Sequence, residues 1–243
     1  MNDLVSFIFV NRDGKDLDKA IQNVNDVYSD LNKEIIVIEQ DDNKPFMRGQ
    51  LFNIGVKYAN GKYIALSDND MYHLRKVPWI DIYEEVKKPL IGFKYISQIT
   101  FRNNIPYITS TKDTPTGFGG FNFMTKEDFI SFNGFSNLYL GWGYEDNAYS
   151  KRFECIRIPQ NLGHITHPIN RRFDFSKNRE YNKQLSLTES NRNKFEDGYK
   201  QTIYNENDKK IINNVLYVKV SNIYVCENFK YIDILNKHYS YIK

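Results

Sequence analysis

Asp68 and Asp70 stand one residue apart in YIALSDND, where a β-branched, apolar run gives way to polar residues. Both carboxylates can turn out at such a strand end and hold one divalent cation or a ribose hydroxyl. Taken alone, the same residues also make a turn closed by Asx hydrogen bonds. His164 and His167 in GHITHP are half of the chain's 4 histidines and lie three residues apart. Imidazole with carboxylate suits manganese or zinc, although a zinc site would want a further nitrogen or sulfur ligand. Arg12 in FVNRDG and Arg48 in PFMRGQ each follow an aromatic residue closely. That pairing offers a ring for a base and a guanidinium for phosphate, or a solvated loop arginine. Trp142, one of only 2 tryptophans, sits between Gly141 and Gly143 just before Tyr144, Glu145 and Asp146. A flat ring beside carboxylates is a sugar-binding arrangement, the ring covering the apolar face and the acids binding hydroxyls. The two acids also suit the first turn of a helix for purely electrostatic reasons.

The elements that must position these residues follow from hydrophobic periodicity. LVSFIFV reads as a buried strand, and Leu17, Ala20, Ile21, Val24, Val27, Tyr28 and Leu31 recur with helical spacing. EIIVIEQ (34–40) is a second strand, FMRGQLFNIGVKYANG a helix stopped near Gly61, and KYIALS (62–67) a third strand. This alternation implies right-handed crossovers and a mostly parallel sheet, with ligands bound beyond the carboxyl ends of the strands. NRD and DND, which end the first and third strands, are therefore expected on one rim. The second half is less regular: short strands at LIGFKYI and IPYITS, a glycine-rich TGFGGFNFMT, and helices opening near Thr125 and Glu145. Glycines 117, 119 and 120 suit close backbone approach to a ligand but lack dinucleotide or P-loop spacing. NNVLYVKVSNIYV reads as a strand pair near the end.

Composition narrows the function classes. The 33 basic and 30 acidic side chains are mixed along the 243 residues, which does not suggest nucleic acid. No stretch approaches the roughly 18 apolar residues of a spanning helix, so membrane contact is expected to be peripheral at most. Cys155 and Cys226, just 2 and far apart, read as reduced buried thiols in a reducing compartment.

The order of FVNRDG, PFMRGQLFNIGVKYA, YIALSDNDM, GFGGFNFMTKEDFISFNGFSNLYLGWGYED and HITHPINRR resembles that of the β-1,4-galactosyltransferases, from about Val5 to Ile223. The block from Gly119 to Asp146 resembles their galactosyltransferase C-terminal motif. The resemblance implies an α/β GT-A fold, Rossmann-like, with a mixed, mostly parallel sheet flanked by helices. Residues 1–226 would form the single glycosyltransferase domain and 227–243 an appendage. It also implies an inverting transferase that takes a UDP-sugar and Mn2+. Asp70 and His167 map onto the family's metal ligands, and His164 occupies the place of a methionine ligand. Asp68 maps onto the acid that contacts the nucleotide, and Phe9, Arg12, Phe46 and Arg48 onto the uridine and phosphate region. Gly119 and Gly120 lie in the donor-binding block. Trp142 maps onto the ring that closes over donor and acceptor, Asp146 onto the general base, and Glu145 onto an acceptor-binding acid. Two departures touch specificity: Gly117 where a tyrosine crowds the donor, which would admit UDP-N-acetylgalactosamine, and Tyr144 where the family has glycine in the acceptor cleft. The expected partners are a UDP-sugar and a glycan or glycolipid acceptor, in a cytoplasmic, bacterial-type enzyme reaching the inner face of the membrane. A catalytically silent sugar-binding module and a metal-dependent hydrolase are the alternatives.

Overall fold

A computed structural model describes residues 3–12, 14, 16–103, 105–113, 119–141, 143–165, 175–188 and 197–225. The first three strands are β1 (Val5–Asn11), β2 (Lys33–Gln40) and β3 (Tyr63–Asp68), joined by α1 (Leu17–Val27) and α2 (Arg48–Tyr58). β1 lies between the other two and pairs with both in parallel, which is the crossover arrangement the sequence pattern requires. Every residue of β1 is buried, because helices and loops cover both faces of the sheet here.

α2 is the element that sets the site. Gln50 to Val56 are buried without a break, so this helix lies between the sheet and a second layer instead of facing solvent. Its contacts depend on two glycines. A Cβ on Gly55 would lie 2.3 Å from Ile8 Cγ2, and one on Gly49 would lie 2.9 Å from Phe135 Cβ. Glycine at both positions lets the backbone approach closely on each side.

Beyond β3 the chain adds β4 (Met71–His73), α3 (Trp79–Val86), β5 (Leu90–Arg102), β6 (Ile105–Asp113), β7 (Phe121–Thr125), α4 (Lys126–Ser131) and α5 (Glu145–Tyr149). It continues with β8 (Ile156–Ile165), α6 (Phe175–Thr188), β9 (Thr202–Ile212) and β10 (Val215–Val225). One sheet runs in the order β4-β8-β5-β7-β3-β1-β2-β10-β9, with β6 pairing to β5. It is mixed: β10 joins β2 in parallel and β5 joins β8 in parallel, while β7 is antiparallel to both β3 and β5. Thr125 caps α4 by accepting a hydrogen bond from the Asp128 amide at 3.1 Å, as the TKED sequence anticipates.

Two strand readings need correction. Val215–Val225 is one strand and not a pair. The turn lies upstream at Asn213 and Asn214, both with positive φ (51° and 63°), as a two-residue type I′ hairpin turn requires. The partner strand, β9, is exposed and charged over most of its length and so lacks the apolar alternation that marks a half-buried strand. LIGFKYI and IPYITS are likewise parts of two long strands paired from Tyr95 to Asp113. Cys155 is half-buried, not buried. Cys226 and the proposed appendage at 227–243 lie outside the described residues. Among the described residues no helix is long and apolar enough to cross a membrane.

Candidate active site

The carboxyl ends of β1 and β3 share one rim, as expected from their parallel pairing. Asn69 Nδ2 donates to Asn11 Oδ1 at 2.9 Å, which ties the DND turn to the NRD loop. The glycine-rich segment enters here: the Asp68 amide donates to the Gly120 carbonyl at 2.8 Å as β7 begins beside β3. One residue earlier, a Cβ on Gly119 would lie 2.5 Å from Asp146 Oδ2. Gly119 and Gly120 thus lie between Asp68 on one side and Asp146 on the other.

Asp146 is carried by α5, whose entry is conformationally demanding. Gly141, Gly143 and Tyr144 all have positive φ (69°, 101° and 69°). Glycine takes this conformation freely, whereas Tyr144 holds it against its own Cβ. The loop is held from below. Gln50 Nε2 donates to the carbonyls of Asn137 and Tyr139 at 2.8 and 2.9 Å, and Asn182 Nδ2 of α6 donates to the Leu140 carbonyl at 2.9 Å. Behind α5, Tyr149 stacks on Phe135 with ring centroids 3.8 Å apart. Asp146 Oδ1 itself accepts from the Asn147 amide at 2.8 Å.

Arg48, at the start of α2, joins the two halves of the site. Its Nε donates to Asp68 Oδ1 at 2.6 Å and its Nη1 lies 3.4 Å from Glu145 Oε1. Burial disfavours the guanidinium charge, but Asp68 and Glu145 outweigh it and hold its pKa above the ordinary arginine value. Glu145 is shifted the other way relative to an ordinary carboxylate. Burial, with the charge of Asp146 next to it, raises its pKa against the opposing pull of Arg48. Arg48 Nη2 and Glu145 Oε2 are both buried with no hydrogen-bond partner among the described residues. Two buried polar groups of opposite charge side by side are what a polar ligand or water would complete.

A family model described as the N-terminal domain of galactosyltransferase matches residues 100–168. Human β-1,4-galactosyltransferase 4 is 30% identical over 132 residues, covering 53% of this chain and 35% of the relative. Bovine β-1,4-galactosyltransferase 1 is 33% identical over 130 residues, covering 50% of this chain and 28% of the relative. The chain thus spans about a third of the length of these curated relatives. Among solved structures, the catalytic domain of Drosophila β-1,4-galactosyltransferase 7 in complex with xylobiose superposes with a TM-score of 0.69 at 20% identity, covering 97% of this chain and 98% of that one. A mutant of the same enzyme, in complex with manganese, UDP-Gal and xylobiose, gives a TM-score of 0.68. Over about half of its length the chain is similar to β-1,4-galactosyltransferases, and its fold is GT-A.

In this GT-A domain not every residue named from the sequence lies in the cleft. Phe9 is fully enclosed in the core. Its ring is therefore not a face for a nucleotide base, because β1 is covered on both sides and neither side chain direction reaches solvent. Phe46 is half-buried against that core and is the remaining aromatic of the pair. Arg12 donates from Nη2 to the carbonyls of Asp42, at 2.8 Å, and Lys44, so it braces the loop after β2. The metal segment is brought in by backbone pairing: Met71 pairs with His164 across β4 and β8, and the Ile165 amide donates to the Asp70 carbonyl at 2.8 Å. That register sets the backbone of His164 and Ile165 beside Asp70. His167, Trp142 and Gly117 lie outside the described residues, as does the His164 side chain. Among the described residues no group of three potential metal ligands converges.

Sequence reasoning missed the buried polar frame under the loop. Arg152 donates to the carbonyls of Gly134 and Asp197 at 3.0 and 2.8 Å, and its Nη2 lies 3.3 Å from Asp197 Oδ1. Asp197 Oδ2 accepts in turn from the Asn137 amide at 3.1 Å and from the Ser136 hydroxyl. Asn53 bonds both backbone groups of Phe135 at 2.9 Å. One signal was available: Gln50 and Asn53 sit inside an otherwise apolar helix, and buried amides require partners.

Proposed function

We propose that the chain is an inverting, metal-dependent glycosyltransferase that moves galactose or N-acetylgalactosamine from a UDP-sugar to a hydroxyl of a glycan or glycolipid acceptor. The observation that carries this reading is the bridge from Asp68 through Arg48 to Glu145, with Asp146 against Gly119. On this reading Asp68 is the nucleotide-side acid, and Glu145 and Asp146 are the acceptor-side pair. The likeness to galactosyltransferases, one of whose solved relatives carries manganese, UDP-Gal and xylobiose, supports the same conclusion.

The proposed roles combine the described contacts with the motif resemblance. Asp68 takes the nucleotide side, steadied by Arg48. Asp146 accepts the proton of the attacking hydroxyl while its other oxygen is fixed by the Asn147 amide. Glu145 and Tyr144 line the acceptor side, with Trp142 as the ring that covers the sugar. Asp70, His164 and His167 would hold Mn2+, which supplies neutralisation of the charge on the departing diphosphate. A single displacement from the face opposite the leaving group inverts the anomeric centre. The cellular setting we propose is a bacterial cytoplasm, in the synthesis of surface polysaccharide or lipooligosaccharide.

The test is UDP release from UDP-galactose and UDP-N-acetylgalactosamine against a panel of acceptor sugars. Stimulation by manganese, its abolition by EDTA, and loss of transfer with retained UDP binding in Asp146→Asn are expected. Wild-type transfer by Asp146→Asn would remove the base assignment. Glycan binding with no donor turnover would indicate a silent binding module.

A further inference from the structure

Among the described residues, six large apolar side chains are exposed: Leu187 stands on α6, Ile211 and Ile212 end β9, and the other three gather at one strand tip. Ile105, Tyr107 and Ile108 are 55%, 45% and 56% exposed, and Pro106 between them is exposed as well. All four lie at the tip of a two-stranded arm in which β6 pairs with β5 alone. The last pair of the arm is Arg102 with Ile105, and Asn103 beyond it has a positive φ of 50°.

The arm has an apolar tip and a polar base. Thr109, Ser110 and Thr111 are also exposed, and the pairing slips between them and the tip: Gln98 faces Ser110 while Ile99 faces Ile108. Thr109 is the extra residue, and its hydroxyl donates to the Gln98 carbonyl at 3.2 Å. A bulge of this kind bends a strand and re-aims the residues beyond it.

The apolar residues occupy both faces. Alternation puts Ile105 and Tyr107 on one face and Pro106 and Ile108 on the other. A protein partner or a second copy would cover one face, or pair along the length of the β6 edge. An apolar wedge confined to a tip fits a medium that surrounds it. The charge agrees: from Leu90 to Asp113 there are three basic residues, Lys94, Arg102 and Lys112, and one acid, Asp113, a net of +2. The Arg102 guanidinium lies over the Tyr107 ring at 5.7 Å, so a cation sits at the apolar tip itself. Exposed apolar and aromatic residues beside Lys or Arg compose an anchor for the interface of an anionic bilayer.

We propose that the tip of the β5–β6 arm is a membrane-surface anchor: Ile105, Pro106, Tyr107 and Ile108 enter the interfacial layer of an anionic bilayer and Arg102 meets its phosphates. The arm leaves the sheet at the end where the site lies. β5 runs parallel to β8, their last pair is Ile99 with Ile165, and the Ile165 amide bonds the Asp70 carbonyl. Docking by the tip therefore turns the Asp70 rim toward the lipid, which selects a lipid-carried acceptor. This deepens the acceptor reading above, yet the anchoring does not depend on it.

The experiment is sedimentation of the full chain with vesicles of phosphatidylcholine alone or with added phosphatidylglycerol, without metal or sugar. The wild type is expected to pellet with the anionic vesicles and to be released by salt. The Ile105→Asp/Ile108→Asp variant should partition at least about tenfold more weakly with an unchanged melting temperature, since both side chains are exposed. Arg102→Glu should weaken binding to the anionic vesicles alone. Absence of pelleting with either vesicle, or equal pelleting of the double variant, overturns the proposal. So does a wild-type dimer that the double variant converts to monomer, which would assign the tip to a second copy. Transfer to a soluble acceptor sugar is read in parallel: its absence in wild type and variant alike counts against the transferase reading and leaves the anchor standing.

Discussion

Gly119→Ala separates the position of the proposed base from the stability of the fold. Gly119 does not have a positive φ, so alanine introduces no backbone strain there. Its Cβ would instead lie 2.5 Å from Asp146 Oδ2 and 3.4 Å from Asp146 Cγ. Ordinary contact begins near 3.4 Å, so the carboxylate oxygen must move by about 0.9 Å. It can do so by rotating the end of one side chain, at a cost of about 1 kcal/mol or less, and the melting temperature should shift by only a few degrees. A proton acceptor displaced by about 1 Å from its reactive geometry loses on the order of a hundredfold in rate. The assay is UDP release with acceptor saturating, beside UDP binding by calorimetry and a thermal melt. The expected result is a roughly hundredfold drop in kcat with melting nearly unchanged. Wild-type kcat in a folded Gly119→Ala protein would refute the reasoning, because it would mean that the Asp146 carboxylate does not act from the position it holds against Gly119.

Three further outcomes follow from the same contacts. Arg48→Met leaves Asp68 and Glu145 partly buried without their shared cation and should destabilise the fold by about 3–5 kcal/mol, read by urea unfolding; a loss under 1 kcal/mol would mean that the bridge is loose in solution. Tyr144→Gly removes a side chain from a left-handed backbone position (φ 69°) and should raise stability by up to about 1 kcal/mol, while opening the acceptor side to a wider acceptor panel; a lower melting temperature would show that the Tyr144 contact with Arg179 outweighs the strain. His73, the last residue of β4, is buried with its Nδ1 3.0 Å from the Tyr28 hydroxyl, and burial pushes its pKa down to about 3 from 6.5. The unfolded chain takes up this proton below about pH 6.5 and the folded chain does not, so stability is full above that pH and falls toward pH 3. The loss at pH 5 is about 2 kcal/mol, 1.5 pH units at about 1.4 each. His73→Gln should flatten that slope in chemical denaturation at pH 7 and 5, and an unaltered slope would assign the acid sensitivity to other groups.

The sequence by itself determined the alternation of the first 68 residues, and with it the shared rim. Parallel strands joined by right-handed crossovers bring the ends of β1 and β3 together whatever the rest of the chain does, and the Asn69 to Asn11 hydrogen bond is the result. The motif order was also enough to assign the fold, because it reflects the linear arrangement of the pieces that a GT-A sheet carries. Tertiary structure alone decided which side chains face the cleft. Phe9 and Arg12 look alike in a string of letters, a ring and a cation at a strand end, but the core encloses one and loop carbonyls engage the other. Arg48 reads as a donor-side cation, and only the fold gives it its partners, Asp68 twenty residues away and Glu145 ninety-seven away. The burial that raises the Glu145 pKa, and the contact of Gly119 with Asp146, likewise arise from packing between distant segments. Local pattern reports what a residue can do; its partners and its access to solvent are properties of the assembled chain, since both depend on neighbours that sequence separation does not record.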